Sequence, residues 1–175
     1  MQVVTIIRHR PRRRNIMNQR TLSNWLKGIV IGLGICGIFL FAVLLPYLVH
    51  GEIEASPELS RTFITWMITI WVLGIACYAV LVFCWKIAAN IGRDNSFCDE
   101  NAHLLKLISV MAVIDCVILF VANVVYLFLN ISHPGIFIAS MFVIFIGIAI
   151  AVTTAALSHL VLKAALLQKQ SDLTI

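Results

Sequence analysis

Apolar residues fill three long stretches of this chain with almost no interruption. Residues 28–51 contain no Asp, Glu, Lys or Arg, nor do 62–85, and 116–162 form an uncharged run of 47 residues. None of the runs alternates polar and apolar positions as a barrel strand does. A helix that crosses the hydrocarbon of a bilayer needs roughly 20 apolar residues at about 1.5 Å each. The first two runs fit one such helix apiece. The third is too long for one, and Asn130-Ile131-Ser132-His133-Pro134-Gly135 supplies the turn chemistry that divides it. The pattern predicts an all-α integral membrane protein, with helices at about 27–49, 62–86, 104–129 and 135–163 in a compact bundle.

Composition narrows the class. Of the 175 residues, 61% are hydrophobic and 12% charged, against about 25% charged in a soluble domain. No polar stretch is long enough for a soluble domain. The organisation expected is a basic arm, 1–24, then a membrane domain, 25–175, ending in a short tail from 164.

Charge gives that domain a predicted orientation. Twelve of the thirteen Lys and Arg fall in the arm (Arg8, Arg10, Arg12, Arg13, Arg14, Arg20, Lys27), the second loop (Lys86, Arg93, Lys106) and the tail (Lys163, Lys169). The first loop holds Arg61 against Glu52, Glu54 and Glu58, and the third has no basic residue. By the positive-inside rule both termini and the middle loop are cytoplasmic, in a plasma membrane. Trp25 and Trp85 then mark the inner interface, and Tyr47, Trp66 and Tyr126 the outer one. The arm is read as an orientation signal or an upstream extension, with Met17 a second candidate start. The apolar segment after it is too long for a secretory signal.

Asp115 is the one charged residue well inside a predicted helix. An acid in the bilayer costs a few kcal/mol on insertion scales, so it is a functional candidate by default. Asn123 follows eight residues on, within a small and polar seam of Ser109, Ala112, Cys116, Leu119, Asn123 and Tyr126 at three- and four-residue steps. The sharp reading is a proton or cation carrier. The packing reading is a neutral carboxyl bonded to a backbone carbonyl or a hydroxyl such as Thr65, Thr69, Thr153 or Thr154. No second acid, Lys or Arg completes a relay, so the packing reading comes first.

Gly28 and Gly32 in helix one, and Gly147 and Ala151 in helix four, have the four-residue spacing that permits close helix contact within a chain or in a homodimer. Cys36, Cys77, Cys84, Cys98 and Cys116 form no CxxC, and neither outer loop carries a thiol for disulfide exchange. His103 and His159 are too far apart in sequence to suggest a metal site, and no zinc-ligand spacing occurs. No glycine loop cradles phosphate. No enzyme activity, cofactor, metal or direct nucleic-acid binding is expected.

The informative polar sequence is the middle loop, 86–108, and the tail, 160–175. Gly92-Arg93-Asp94-Asn95 reads as a turn, and Ser96 with Asp99 as a capping box opening helix three. Asp99 and Glu100 suit a helix N-terminus. Phe97 is left at the membrane surface. Helix four continues past the membrane until Ser171-Asp172 ends it. Arg93, Asp94, Phe97, Asp99, Lys106, Asp172 and Leu173 make the candidate partner surface.

These segments resemble a bacterial membrane family, domain of unknown function 2975. The resemblance is carried by LLPYL at 44–48, by Trp85-Lys86, Ile91, Phe97 and Leu105-Lys106, by HPG at 133–135 and by the terminal SDLTI, and it spans 25–175. The arm lies outside it, and Asp115, within that span, is not among the residues that carry it. It implies four transmembrane helices and no known enzyme activity. Genes of this family often neighbour small helix-turn-helix regulators, so the resemblance implies a membrane partner that holds or modulates a cytoplasmic DNA-binding protein. The alternatives are a small transporter using Asp115, and protection against a cationic membrane-active peptide through the acidic loop 50–61.

Overall fold

The computed structural model describes residues 14–44, 47, 60–129 and 134–172. They form four helices and, among the described residues, no strand. Helix α1 is Arg14–Phe39 and runs into a π-helical turn, Leu40–Leu44; α2 is Ser60–Gly92, α3 Asp99–Phe128 and α4 Pro134–Asp172. Four segments are long and apolar enough to cross a bilayer: Arg20–Val43, which runs from α1 into the π-helical turn, Ile64–Gly92, Asp99–Phe128 and Phe137–Ser171. Pro134 opens α4, where a missing N–H leaves no intrahelical bond unmade. At 39 residues, α4 is about 58 Å long, nearly twice the hydrocarbon thickness. It therefore continues beyond the membrane, as its polar end predicts.

Helices adjacent in sequence are adjacent in space: α1 packs on α2, α2 on α3 and α3 on α4. Among the described residues α1 does not approach α3 or α4, and α2 does not approach α4. The α3–α4 contact is the most extensive and the α2–α3 contact the least. The molecule is thus two helical hairpins, α1–α2 and α3–α4, meeting along one seam.

A seven-residue repeat builds the α3–α4 seam. Ser158 Oγ donates to the Ala102 carbonyl (2.7 Å) and Ser109 Oγ to the Ala151 carbonyl (2.8 Å). Cys116 Sγ donates to the Ile144 carbonyl (3.6 Å), and Ser140 Oγ donates to Asn123 Oδ1 (2.8 Å). Residues 102, 109, 116 and 123 are the same seam position in successive heptads, which keeps one face of α3 on an antiparallel partner. Small and hydroxyl side chains let the backbones approach. At Gly147 a Cβ would fall on Cys116 Sγ. Gly147→Val is accordingly expected to destabilise the α3–α4 pair by about 1–3 kcal/mol through overpacking, read from unfolding in mixed micelles. An unchanged midpoint would show the seam to be looser than drawn.

Candidate functional site

The turn between α2 and α3 is built by hydrogen bonds that start inside α2. Asp94 N–H donates to the Ile91 carbonyl (3.2 Å) and Asn95 N–H to the Asn90 carbonyl (3.1 Å). This pair of bonds is a Schellman stop, with Asp94 as the residue that leaves the helix in the left-handed conformation, φ 65°. Aspartate tolerates that region better than most side chains, so Asp94 has a structural reason to be where it is.

Asn101 then fixes the turn from the other side. It is 1% exposed. Its Nδ2 donates to the Asn95 carbonyl (3.3 Å) and the Ser96 carbonyl (3.0 Å), and its Oδ1 accepts from Asn90 Nδ2 (2.9 Å). Asn90 Nδ2 also donates to Glu100 Oε2 (3.1 Å). Two buried amides, one ending α2 and one opening α3, thus close the turn between them.

That clamp corrects the capping box. Helix α3 is capped by Cys98, in extended conformation, whose Sγ accepts from Asn101 N–H (3.4 Å). Ser96 instead presents its carbonyl to Asn101, which pulls residues 95 and 96 away from the helical path and starts the helix at Asp99. Asp99 and Glu100 occupy the first turn of α3, where carboxylates complement the helix dipole.

Both other helices reach this end. Lys169 Nζ on α4 pairs with Asp99 Oδ2, and both side chains are more than half exposed. Such a pair is worth about 0–1 kcal/mol, so it marks position more than it holds the fold. On α1, Ser23, 2% exposed, donates to the Ala88 carbonyl (2.6 Å). A Cβ at Gly92 would collide with Ser23 Oγ. Lys27 Nζ lies 5.6 Å from the Trp85 ring centroid, a cation–π contact between α1 and α2.

The candidate surface residues divide. Arg93, Asp94, Phe97 and Asp99 are exposed along this one turn, Phe97 to 56%. Lys106 is also exposed, but two helical turns further along α3. Asp172 ends α4, and Leu173 lies outside the described residues. So do Arg8, Arg10, Arg12 and Arg13 of the arm, nearly all of the acidic loop 50–61, and the turn residues 130–133.

The intramembrane residues divide as well. Asn123, 0% exposed, donates from Nδ2 to the Leu119 carbonyl (2.8 Å) and accepts from Ser140, so it is a satisfied bridge to α4. Asp115 is not. Its Oδ1 is buried, and among the described residues it has no hydrogen-bond partner. The hydroxyls proposed for it are engaged elsewhere: Thr69 Oγ1 donates to the Thr65 carbonyl (3.1 Å), Thr153 to that of Ala149 (2.7 Å) and Thr154 to that of Ile150 (2.8 Å). A threonine inside a helix bonds most readily to its own preceding turn, and Thr69 Oγ1 also shares a hydrogen bond with Tyr126 Oη of α3. Asp115 lies about 20° round α3 from Tyr126 at 100° per residue. Tyr126 Oη bonds the Thr65 carbonyl on α2 (3.2 Å), and Cys77 on α2 is within electrostatic reach of Asp115. Asp115 therefore sits on the α2–α3 seam.

Trp66 and Tyr126, expected at the outer interface, pack on each other with ring centroids 4.7 Å apart. Gly28 and Gly32 meet nothing within 4 Å of an added Cβ, so among the described residues they pack against no helix, whereas Ala151 is 3% exposed in the α3–α4 seam. The five cysteines are free. Among the described residues no three His, Cys, Asp or Glu side chains cluster as metal ligands.

The family described as "Protein of unknown function (DUF2975)" matches residues 47–175, about three quarters of the chain. The chain belongs to it. The match begins inside LLPYL, after α1. The chain is also 28% identical over 150 residues to the uncharacterized membrane protein YoaS of Bacillus subtilis (strain 168), covering 84% of this chain and 92% of that protein. No solved structure matches. Four apolar helices and similarity to a bacterial membrane protein make this a bacterial membrane protein.

Proposed function

We propose that this protein is a plasma-membrane interaction partner with both termini and the α2–α3 turn in the cytoplasm. There it binds a small helix-turn-helix regulator through residues 86–106 and 163–175. The orientation is supported by the placement of twelve of thirteen Lys and Arg. The docking role is supported above all by the Asp99–Lys169 contact, which joins the two segments that would form the surface. Next to it, the amide clamp holds an exposed phenylalanine on a turn with little freedom left to lose. A pre-ordered surface pays less entropy on binding, and an aromatic anchor beside charged groups is the composition of an interaction hot spot.

Capture of the tagged full chain in mild detergent tests the proposal. Recovery of a small DNA-binding protein is expected, and it should fall at least tenfold with Phe97→Ala. Recovery of no such protein, together with an unaltered transcript profile after deletion of the gene, would rule the role out. The transporter alternative rests on Asp115 and its unbonded oxygen. Two surface grooves, of about 460 and 340 Å3, are lined by α1 and α2 side chains that do not include Asp115.

A further inference from the structure

Helix α1 has two unlike faces. One packs on α2 through Ser23 and Lys27, with Gly34 and Gly37 against Leu81 and Tyr78. The other carries Thr21, Asn24, Trp25, Gly28 and Ile29, which line an open groove of about 460 Å3. Gly28 forms a floor where an added Cβ would meet nothing within 4 Å, and Trp25, 71% exposed, forms a wall. The groove changes character along its length. Its end nearer the α1 N-terminus is polar, with Thr21 and Asn24, and Arg20 lies four residues before Asn24 on the same side of the helix. The other end is apolar. Ser23 is level with Ala88 and Gly92 at the end of α2, which puts the polar end at the membrane surface, where tryptophan also prefers to lie.

Charge chooses the occupant. Residues 1–51 contain seven Lys and Arg and no Asp or Glu. A parallel second copy seated on Gly28 and Gly32 would bring two such segments together with no acid to offset them. An anionic lipid meets the same charge favourably, its headgroup at Arg20 and Asn24 and an acyl chain along Gly28 and Ile29. Basic pockets at the membrane surface hold anionic headgroups in this way. We infer that the α1 groove is a binding site for an anionic glycerophospholipid of the leaflet on the α2–α3 turn side. The inference is independent of the proposed regulator partner and concerns a helix that precedes the residues the family model matches.

Native mass spectrometry tests it, on the full chain extracted from nanodiscs of equal phosphatidylglycerol and phosphatidylcholine. The protein is expected to retain phosphatidylglycerol preferentially. Gly28→Leu, whose Cβ would meet nothing within 4 Å, is expected to fill the groove and abolish the preference while leaving helicity unchanged. Arg20→Gln should reduce it about fivefold, the effect of one basic group near an anionic surface. Equal retention of the two lipids would overturn the inference. So would a preference that survives Gly28→Leu, which would assign it to the arm alone. A dimer that Gly28→Leu converts to monomer would give the groove to a second copy instead.

Discussion

Asn101→Ala should be the most damaging single substitution at the α2–α3 turn, lowering stability by about 2–4 kcal/mol. The side chain is 1% exposed and makes three hydrogen bonds, two to carbonyls of the turn and one with Asn90. Each such bond contributes on the order of 1 kcal/mol net, and each buried group left without a partner costs about 1–3 kcal/mol. Alanine also deletes an anchor that no other side chain duplicates, so the Schellman stop at Asp94 loses its opposite support. Asn90→Ala should be milder, because Asn101 would keep its two carbonyl partners. The double substitution should cost less than the two singles added, since both remove the same amide–amide bond. Reversible unfolding of the full chain in mixed micelles reads all three. A change under about 0.5 kcal/mol for Asn101→Ala would mean that the turn is held by its backbone alone.

The helices were legible because lipid leaves so few options: an uncharged run of sufficient length must satisfy its backbone internally. The polar seam of α3 was legible for a related reason, since small and hydroxyl residues at helical spacing have few other uses in apolar segments. Which helix each member meets was not, for Ser109, Cys116 and Asn123 bond α4 and Tyr126 bonds α2. The turn was harder to read. Asn90 and Asn101 stand among seven charged or amide residues between 90 and 101, and nothing in composition says which of them is buried. Eleven residues across a short turn is a helix-to-helix relation, invisible to rules that look three or four residues ahead. The capping rule looked no further and chose Ser96 over Cys98, because serine is the commoner cap. In α1 the glycine spacing pointed to Gly28 and Gly32 as contacts. Among the described residues the side that packs on α2 carries Ser23, Lys27, Gly34 and Gly37, and the two polar members are ones that a reading of small-residue stripes discounts.

Asp115→Leu is expected to stabilise the protein, by about 2 kcal/mol. A bonded carboxyl would give the opposite sign, because its loss would leave a partner exposed in the seam. Here Oδ1 is buried and has no partner among the described residues, while Thr153 and Thr154 donate within their own helix and Thr69 is held by the Thr65 carbonyl and Tyr126 Oη. Removing an unpaired polar group from the middle of a span relieves a penalty of about 2–3 kcal/mol and gives up little in return. Asp115→Asn should lie between, keeping the shape and most of the polarity. The measurement is the same micellar unfolding, run beside Asn123→Leu as a contrast, since Asn123 is bonded on both sides and its loss should destabilise by about 1–3 kcal/mol. If Asp115→Leu destabilises as Asn123→Leu does, the acid has a partner after all and belongs to the packing. If it stabilises, the chain carries an acid against its own stability. Residues kept at such a cost concentrate at working sites, and the α2–α3 seam would then join the turn as a place to look for function.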